Sequence, residues 1–268
     1  MSKTITSHRN PHVTDAGRLR ERRGRDQQGR IIVDGAREIL RGLQGGVEFV
    51  EVFFCAELCN HEDAHLAISA LSTTHASILA VSADVFGRVA FGQRAEGIVG
   101  IAKMPRLQLS DVPLAEKPLV LILEAVEKPG NVGAVVRSAD GAGASAVILT
   151  DAKTDIYNPN AIRSSMGTLF TKTVCAASSD ETLAWLRAHE MQVFAARVDG
   201  ALPYADQDYT GPAAIVLGSE TAGLSSIWHA DDIRPIRLPM CGAADSLNVS
   251  AAASVLLYEA LRQRQRAT

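Results

Sequence analysis

No apolar run in the 268 residues approaches the ~20 needed to span a bilayer. The first residues are polar and basic and hold no apolar stretch of the kind a secretory leader needs, so the protein is expected to be cytoplasmic. Cysteine is scarce. Its four positions, Cys55, Cys59, Cys175 and Cys241, are scattered, which suits reduced structural thiols better than a disulfide framework. Cys55, Cys59, His61 and His65 cluster, but Cys-x3-Cys-x-His-x3-His is an odd spacing for zinc, and no metal is expected. Gly130-x-x-Gly133 lacks the full G-x-G-x-x-G, which argues against a nucleotide-dependent dehydrogenase, and no Gly-Lys-Ser/Thr follows to make a P-loop. There is no internal repeat, and no low-complexity tract beyond the alanines of the last helix.

What is present is ample apolar content, 47%, in a length that suits one large or two medium domains. Net charge is −3, which by itself does not suggest nucleic acid; its distribution does. Residues 1–30 hold Lys3, Arg9, Arg18, Arg20, Arg22, Arg23, Arg25 and Arg30 against Asp15, Glu21 and Asp26, eight against three. That net of +5 leaves −8 for the remainder. A basic N-terminal arm on an acidic body points to a polyanion partner. A solvated, frayed terminus with little to bury is the competing reading.

Beyond the arm, 30–35 reads as a buried strand, 36–43 as a helix stopped by Gly45-Gly46, and 47–54 as a second strand. A helix at 65–71 and strands at 77–81 and 98–104 complete a small α/β domain over 31–104. Pro105, Pro113 and Pro118 mark 105–118 as a linker. The apolar run 119–123 is expected of a strand buried on both faces. Strands at 146–149, 173–175, 193–196 and 214–217 and helices at 134–142, 160–170 and 180–189 make 119–268 a parallel sheet wrapped by helices. Such sheets bind ligands at the carboxyl ends of their strands.

Three segments stand out there. Pro129-Gly130-Asn131-Val132-Gly133 is a tight turn that brings backbone N–H groups to a helix start. Arg137, one helical turn further on, can face the same cleft. In an otherwise apolar helix it needs a partner, and a structural salt bridge competes with a ligand. Leu217-Gly218-Ser219-Glu220, with Gly223, ends a buried strand in a glycine and a carboxylate. Leu238-Pro239-Met240 and then 245–250 lead into the alanine-rich helix 251–261. Ser246 or Asn248 would cap that helix, which does not exclude ligand contact.

In order and residue type the three resemble the motifs of the SpoU-type RNA ribose 2′-O-methyltransferases of the SPOUT superfamily: Asn131-x-Gly133-x-x-x-Arg137; Leu217-Gly218-Ser219-Glu220-x-x-Gly223-Leu224; and Leu238-Pro239-Met240 with Ser246-Leu247-Asn248-Val249-Ser250. Arg163-Ser164-Ser165-Met166-Gly167-Thr168-Leu169-Phe170 and the N-terminal segments 18–23 and 30–35 also look like parts of these enzymes, so nearly the whole chain is covered. Leu238 departs from the commoner isoleucine. The N-terminal region is too variable to carry residues over.

The resemblance implies a deep trefoil knot over 119–268, with 217–225 interlaced with the tail after Leu238, and a small ribosomal-protein-like RNA-binding domain before it. It implies S-adenosylmethionine held by Gly218, Leu238 and Leu247, with Met240, Ala195 and Ala196 as neighbours. It further implies attack of a ribose 2′-hydroxyl on an already activated methyl group, without a metal. Arg137 is the catalytic residue; as a guanidinium is a poor base, it is read as a fixed cation for the developing alkoxide or a phosphate. Glu220 and Asn248 orient it and the ribose. Asn131, Arg163, Arg22 and Arg23 are RNA-contact candidates. A homodimer is implied as well. rRNA is favoured over tRNA, and some similar enzymes protect ribosomes against antibiotics. A non-catalytic knotted RNA-binding protein is the alternative from another class.

Overall fold

The computed structural model describes residues 4–90, 96–199 and 202–267; Lys3, counted above among the basic residues, lies outside them. In chain order the elements are α1 (Pro11–Arg18), α2 (Arg22–Gln28), β1 (Arg30–Asp34), α3 (Ala36–Gln44), β2 (Phe49–Phe54), α4 (Glu62–Ser72), β3 (Ser77–Ala80), α5 (Ala83–Val89), β4 (Ile98–Lys103), β5 (Leu119–Glu124), α6 (Pro129–Gly141), β6 (Ala146–Thr150), α7 (Pro159–Ser164), β7 (Thr173–Ala177), α8 (Ser179–Ala188), β8 (Gln192–Ala196), β9 (Leu202–Pro203), β10 (Ala213–Leu217), β11 (Ile233–Arg237) and α9 (Val249–Arg266). They form two compact units: Met1–Pro105 with Tyr157–Thr171, and Arg106–Ile156 with Lys172–Thr268.

The smaller unit carries a four-stranded sheet in the order β1-β4-β2-β3, with β4 antiparallel to both neighbours and β3 parallel to β2. Residues 10–28 are not a frayed arm. Asn10 caps α1 by accepting from His12 N at 3.0 Å, with Pro11 in the first turn. Val13, Ala16 and Leu19 recur every third residue and pack against Ile32, Phe53, Phe86 and Ile101. Arg20 forms a half-buried ion pair with Asp34, and the Arg25 guanidinium is buried and donates to the Leu19 carbonyl at 2.7 Å. Three apolar residues at helical spacing suffice to dock the segment, because they fall on one face among the arginines.

The expected helix at 160–170 is broken. α7 is capped by Asn158, which accepts from Asn160 N at 2.9 Å, and it ends where Met166 (φ 55°) and Gly167 (φ 82°) turn left-handed. A 3-10 turn, Thr168–Phe170, follows. Arg41 donates to the Met166 carbonyl, and a side chain at Gly45 would meet the Phe170 carbonyl at 2.0 Å, so this stretch packs on α3.

The larger unit is a seven-stranded, wholly parallel sheet in the order β7-β6-β5-β10-β8-β11-β9. All six residues of β5 are buried: the apolar run 119–123 requires this of the first five, and Glu124 is buried with them. Val120 and Ile122 face a core shared with Leu183 and Leu186 of α8, Ala195, Val216 and Trp228. Leu119, Leu121 and Leu123 point to the opposite face, where α6 and α9 pack on each other and on the sheet. A Ser138–Ser254 hydroxyl pair at 2.8 Å joins those two helices. Beside β5 the strand order reverses: β6 and β7 lie on one side, β10, β8 and β11 on the other.

Candidate active site

Ala196 ends β8, Leu217 ends β10 and Arg237 ends β11. The loops that leave these strands wall a cavity of about 910 Å3. It opens at strand carboxyl ends next to the β5/β10 switch point, where open α/β sheets hold their ligands. Its lining is divided in character: Leu217, Leu224, Leu238, Met240 and Leu247 are apolar, whereas Asp199, Glu220, Asp245, Arg197 and Arg237 are charged. Arg197 grips Asp199 through two hydrogen bonds of 2.8 and 2.6 Å, which hold the Asp199 carboxyl below its ordinary pKa. The Arg237 side chain has no hydrogen-bond or ion-pair partner among the described residues.

The wall between β10 and Ser225 is a tight turn. Gly223 N donates to the Ser219 carbonyl at 3.1 Å, Ala222 N to the Ser219 hydroxyl at 3.1 Å, and Gly223 adopts φ 66°. A side chain at Gly218 would sit 2.2 Å from the Gly223 carbonyl carbon and oxygen. Glycine is therefore required at 218 by the turn's own backbone, whatever ligand lies beside it.

Two asparagines and a carboxylate from the three motif segments meet here. Asn248 Nδ2 donates to Asn131 Oδ1 at 3.5 Å, and Asn131 donates in turn to Glu220 Oε1. Asn248 also caps α9, its Oδ1 accepting from Ser250 N at 3.0 Å and from Ser250 Oγ at 2.7 Å; the cap is thus Asn248 and not Ser246. Arg137 lies on the exposed face of α6, its side chain without a hydrogen bond or ion pair among the described residues. Glu220 and Asn248 engage Asn131, not Arg137.

Ala196, Gly218, Leu238, Met240 and Leu247 all line the cavity, whereas Ala195 faces the apolar core one residue earlier. Arg163 belongs to the smaller unit, where with Asp34, Glu38 and Glu96 it lines a narrow cleft of about 20 Å3. Arg22 and Arg23 are exposed on α2; Arg22 lies 3.7 Å from Asp26. Among the described residues no group of three or more His, Cys, Asp or Glu side chains could hold a metal ion.

One residue beside the site carries no motif. Glu124, at the end of β5, is 3% exposed. Its Oε1 accepts from the Ser179 hydroxyl at 2.9 Å, the Ser225 hydroxyl at 2.6 Å and the Trp228 indole N–H at 2.8 Å; its Oε2 accepts from Ser225 N at 2.7 Å. Hydrogen bonds to a buried carboxylate are worth about 1.5–3 kcal/mol each, against the several kcal/mol that burying the charge costs. The only sequence signal is a lone carboxylate closing an apolar run.

Fold and cavity define a class: a parallel α/β protein with a nucleoside-sized cleft, polar at one part and apolar at another, at a switch point. Residues 118–258 match the SpoU rRNA Methylase family, and residues 10–100 match an MRM3-like substrate binding domain. The 23S rRNA (uridine(2479)-2′-O)-methyltransferase of Streptomyces viridochromogenes is 31% identical over 92% of this chain and 87% of its own length. A crystal structure of an RNA 2′-O ribose methyltransferase superposes with a TM-score of 0.86 at 38% identity, covering 98% of this chain and 100% of that one. The SpoU methyltransferase AviRb from Streptomyces viridochromogenes, solved in complex with the cofactor AdoMet, superposes with a TM-score of 0.86 at 29% identity, covering 96% of this chain and 99% of that one. The chain belongs to the SpoU rRNA methylase family.

Proposed function

We propose that this protein methylates the ribose 2′-hydroxyl of a nucleotide in 23S rRNA. It is an S-adenosylmethionine-dependent RNA ribose methyltransferase, as its family and its relatives' activities indicate. The observation that carries the reading is the cavity at the ends of β8, β10 and β11. Its lining fits the methyl donor: apolar Leu217, Leu238, Met240 and Leu247 suit an adenine, and the carboxylates of Glu220 and Asp245 suit a cationic sulfur and ammonium group. Ala196 and Gly218 admit close backbone approach. When bound, S-adenosylmethionine supplies a methyl group already activated by the positive charge on its sulfur.

The chain's own task is then to place and activate a weakly acidic hydroxyl. Arg137 does this as a fixed cation, stabilising negative charge on the 2′-oxygen or holding a phosphate next to it. What supports this role is its position: exposed, unneutralised, and on the helix whose first turn holds Asn131. Asn131, Glu220 and Asn248 set the relative positions of the three loops, so they orient the ribose through the cleft's framework. Residues 10–100 and the exposed Arg22, Arg23 and Arg163 bind the RNA backbone. The match to a substrate binding domain supports this, as does the basic balance of α1 and α2.

The deep trefoil knot and the homodimer belong to the same proposal. The knot is supported by the two loops at 218–225 and 238–248 walling one cavity, and by α9 returning to β10 after β11 has passed beyond β8. The dimer is supported by apolar Val255 and Tyr258 on α9, 38% and 51% exposed. The domain division expected from sequence, with a linker at 105–118 and the methyltransferase part beyond it, is part of this reading. So is a place in the cytoplasm, where ribosomes are; no described helix is long and apolar enough to cross a membrane.

The test has two arms. S-adenosylmethionine should raise the melting temperature, as a ligand of the native state must. Mapping of 2′-O-methyl groups in 23S rRNA, with and without active protein, should reveal one site that depends on it. A site in tRNA would move the substrate, and no stabilisation by S-adenosylmethionine would overturn the reading.

A further inference from the structure

We propose that Glu124 is the positioning residue of the cofactor loop, pinning the end of 218–225 to the strand that feeds Asn131 and Arg137. The inference rests on the reading of the cavity as the S-adenosylmethionine site. The loop is anchored on β5 at both ends. It begins at Leu217, which stands opposite Leu123 in the register of β10 on β5. It ends at Ser225, whose N–H and hydroxyl both go to Glu124, the next residue of β5. Ser219, Glu220, Ala222 and Leu224, between the anchors, line the cavity. After Glu124 the chain turns sharply: Ala125 is left-handed at φ 52°, and α6 with Asn131 and Arg137 follows. One side chain therefore fixes the loop that walls the cavity relative to the strand that delivers the catalytic arginine.

The donors also dictate a carboxylate. Ser225 N–H and Trp228 Nε1–H can only donate, and they approach different oxygens of Glu124. A glutamine has one oxygen, so its amide would face one of these donors whichever way it is turned. A shape-matched neutral replacement should thus release Ser225 or Trp228, although it fills the same space.

The test is Glu124→Gln in the full-length protein, with S-adenosylmethionine affinity measured by calorimetry, steady-state kinetics on RNA, and circular dichroism to establish the folded state. The Kd and KM for S-adenosylmethionine should rise about tenfold or more, and kcat at saturating cofactor should fall by less than that, because Glu220 sits at the β10 end of the loop, away from Ser225. Ser225→Ala, which removes one of the four donors, should shift the same constants by about threefold. Leu186→Ala, in the apolar core that holds Trp228, should lower the melting temperature and leave Kd unchanged; a purely structural Glu124 would behave like it. Wild-type cofactor affinity in folded Glu124→Gln would overturn the proposal. Should that variant not fold, unchanged affinity in Ser225→Ala would do so. Failure of the wild-type protein itself to bind S-adenosylmethionine would instead overturn the reading of the cavity, and Glu124's role with it.

Discussion

Asn248 reaches Asn131 across 3.5 Å with one end of its side chain while the other end caps α9. The first bond is at the weak limit of hydrogen-bond length; the second, at 3.0 Å, is ordinary. A single amide thus closes a helix and joins it to the start of α6, and through Asn131 to Glu220 in the loop after β10. Capping and bridging use different atoms, so they can be separated.

Asn248→Ser is the variant that separates them. Serine caps as well as asparagine, so stability should fall by no more than about 0.5 kcal/mol. It lacks the amide that reaches Asn131, and turnover should drop about tenfold or more if that link orients the ribose site. Asn248→Ala should lose both, with about 1 kcal/mol of stability as well. Urea unfolding and methyl-transfer assays on the two variants decide; equal activity of Asn248→Ser and wild type would reduce Asn248 to a cap.

Arg137→Ala should abolish methylation, by about 100-fold or more in kcat. It should leave the fold intact within about 0.5 kcal/mol, since the side chain is exposed and makes no ion pair among the described residues. Arg137→Lys should rescue poorly, because an ammonium cannot reproduce the planar fork of a guanidinium. Labelled-methyl transfer to RNA and thermal unfolding measure the two effects, and retention of most turnover would remove Arg137 from the chemistry.

How far the sequence was legible varies with the kind of interaction. β5 was plain because a strand buried on both faces must be apolar throughout, and 119–123 has no competing pattern. The three loops were legible because glycine, asparagine and acid at strand ends are local features. α1 and α2 were not: Val13, Ala16 and Leu19 are diluted by arginines, and nothing local reports that Arg25 is buried on the Leu19 carbonyl. β11 was hidden by Pro235 and two arginines in five residues, tolerable because its neighbour β9 is only two residues long. The break in 160–170 turns on Met166, a residue that sequence gives no reason to place in the left-handed region. The part played by Glu124 is wholly non-local, since its donors lie more than fifty residues away in the chain.

Neutralising Arg22 and Arg23 together should weaken RNA binding and flatten its salt dependence. The log–log slope should fall by about 0.7 for each phosphate of a single strand that the variant no longer neutralises. Both arginines are exposed, and the 3.7 Å approach of Arg22 to Asp26 is too loose to hold it. S-adenosylmethionine affinity should not change, because the cavity is lined by other elements. Filter binding across a salt series, with calorimetry for the cofactor, tests this; parallel weakening of cofactor binding would argue against a dedicated RNA surface on α2.

Cys175 gives the larger unit an alkaline limit. Burial, reinforced by the Asp111 carboxylate, pushes its thiol from an ordinary value of 9.0 up to about 11. The unfolded chain ionises this thiol first, so its contribution to stability is complete below pH 9 and is lost as pH rises toward 11. At about 1.4 kcal/mol per unit, the loss is roughly 2–3 kcal/mol. Urea midpoints between pH 8 and pH 11 should therefore fall more steeply for wild type than for Cys175→Ala, and identical slopes would remove this thiol from the alkaline transition.

Gly218 and Gly223 face each other across one turn and should fail for different reasons. A side chain at Gly218 would lie 2.2 Å from the Gly223 carbonyl group and 2.6 Å from Leu224 N. Backbone cannot swing aside as a flexible side chain can, so Gly218→Ala must move the loop that carries Glu220 and Leu224. Stability should fall by about 1–3 kcal/mol, as in other overpacked sites. Affinity for S-adenosylmethionine should drop about tenfold or more, because the moved residues wall its cavity. At Gly223 nothing lies within 4 Å of an added Cβ, but φ is +66°, so Gly223→Ala meets backbone strain of about 1–2 kcal/mol without a clash. That variant should be less stable yet bind the cofactor nearly as tightly as wild type. Calorimetric titration of both alanine variants distinguishes the two mechanisms: equal affinities would mean that the turn yields at Gly218, and that its close backbone approach is not what shapes the cavity.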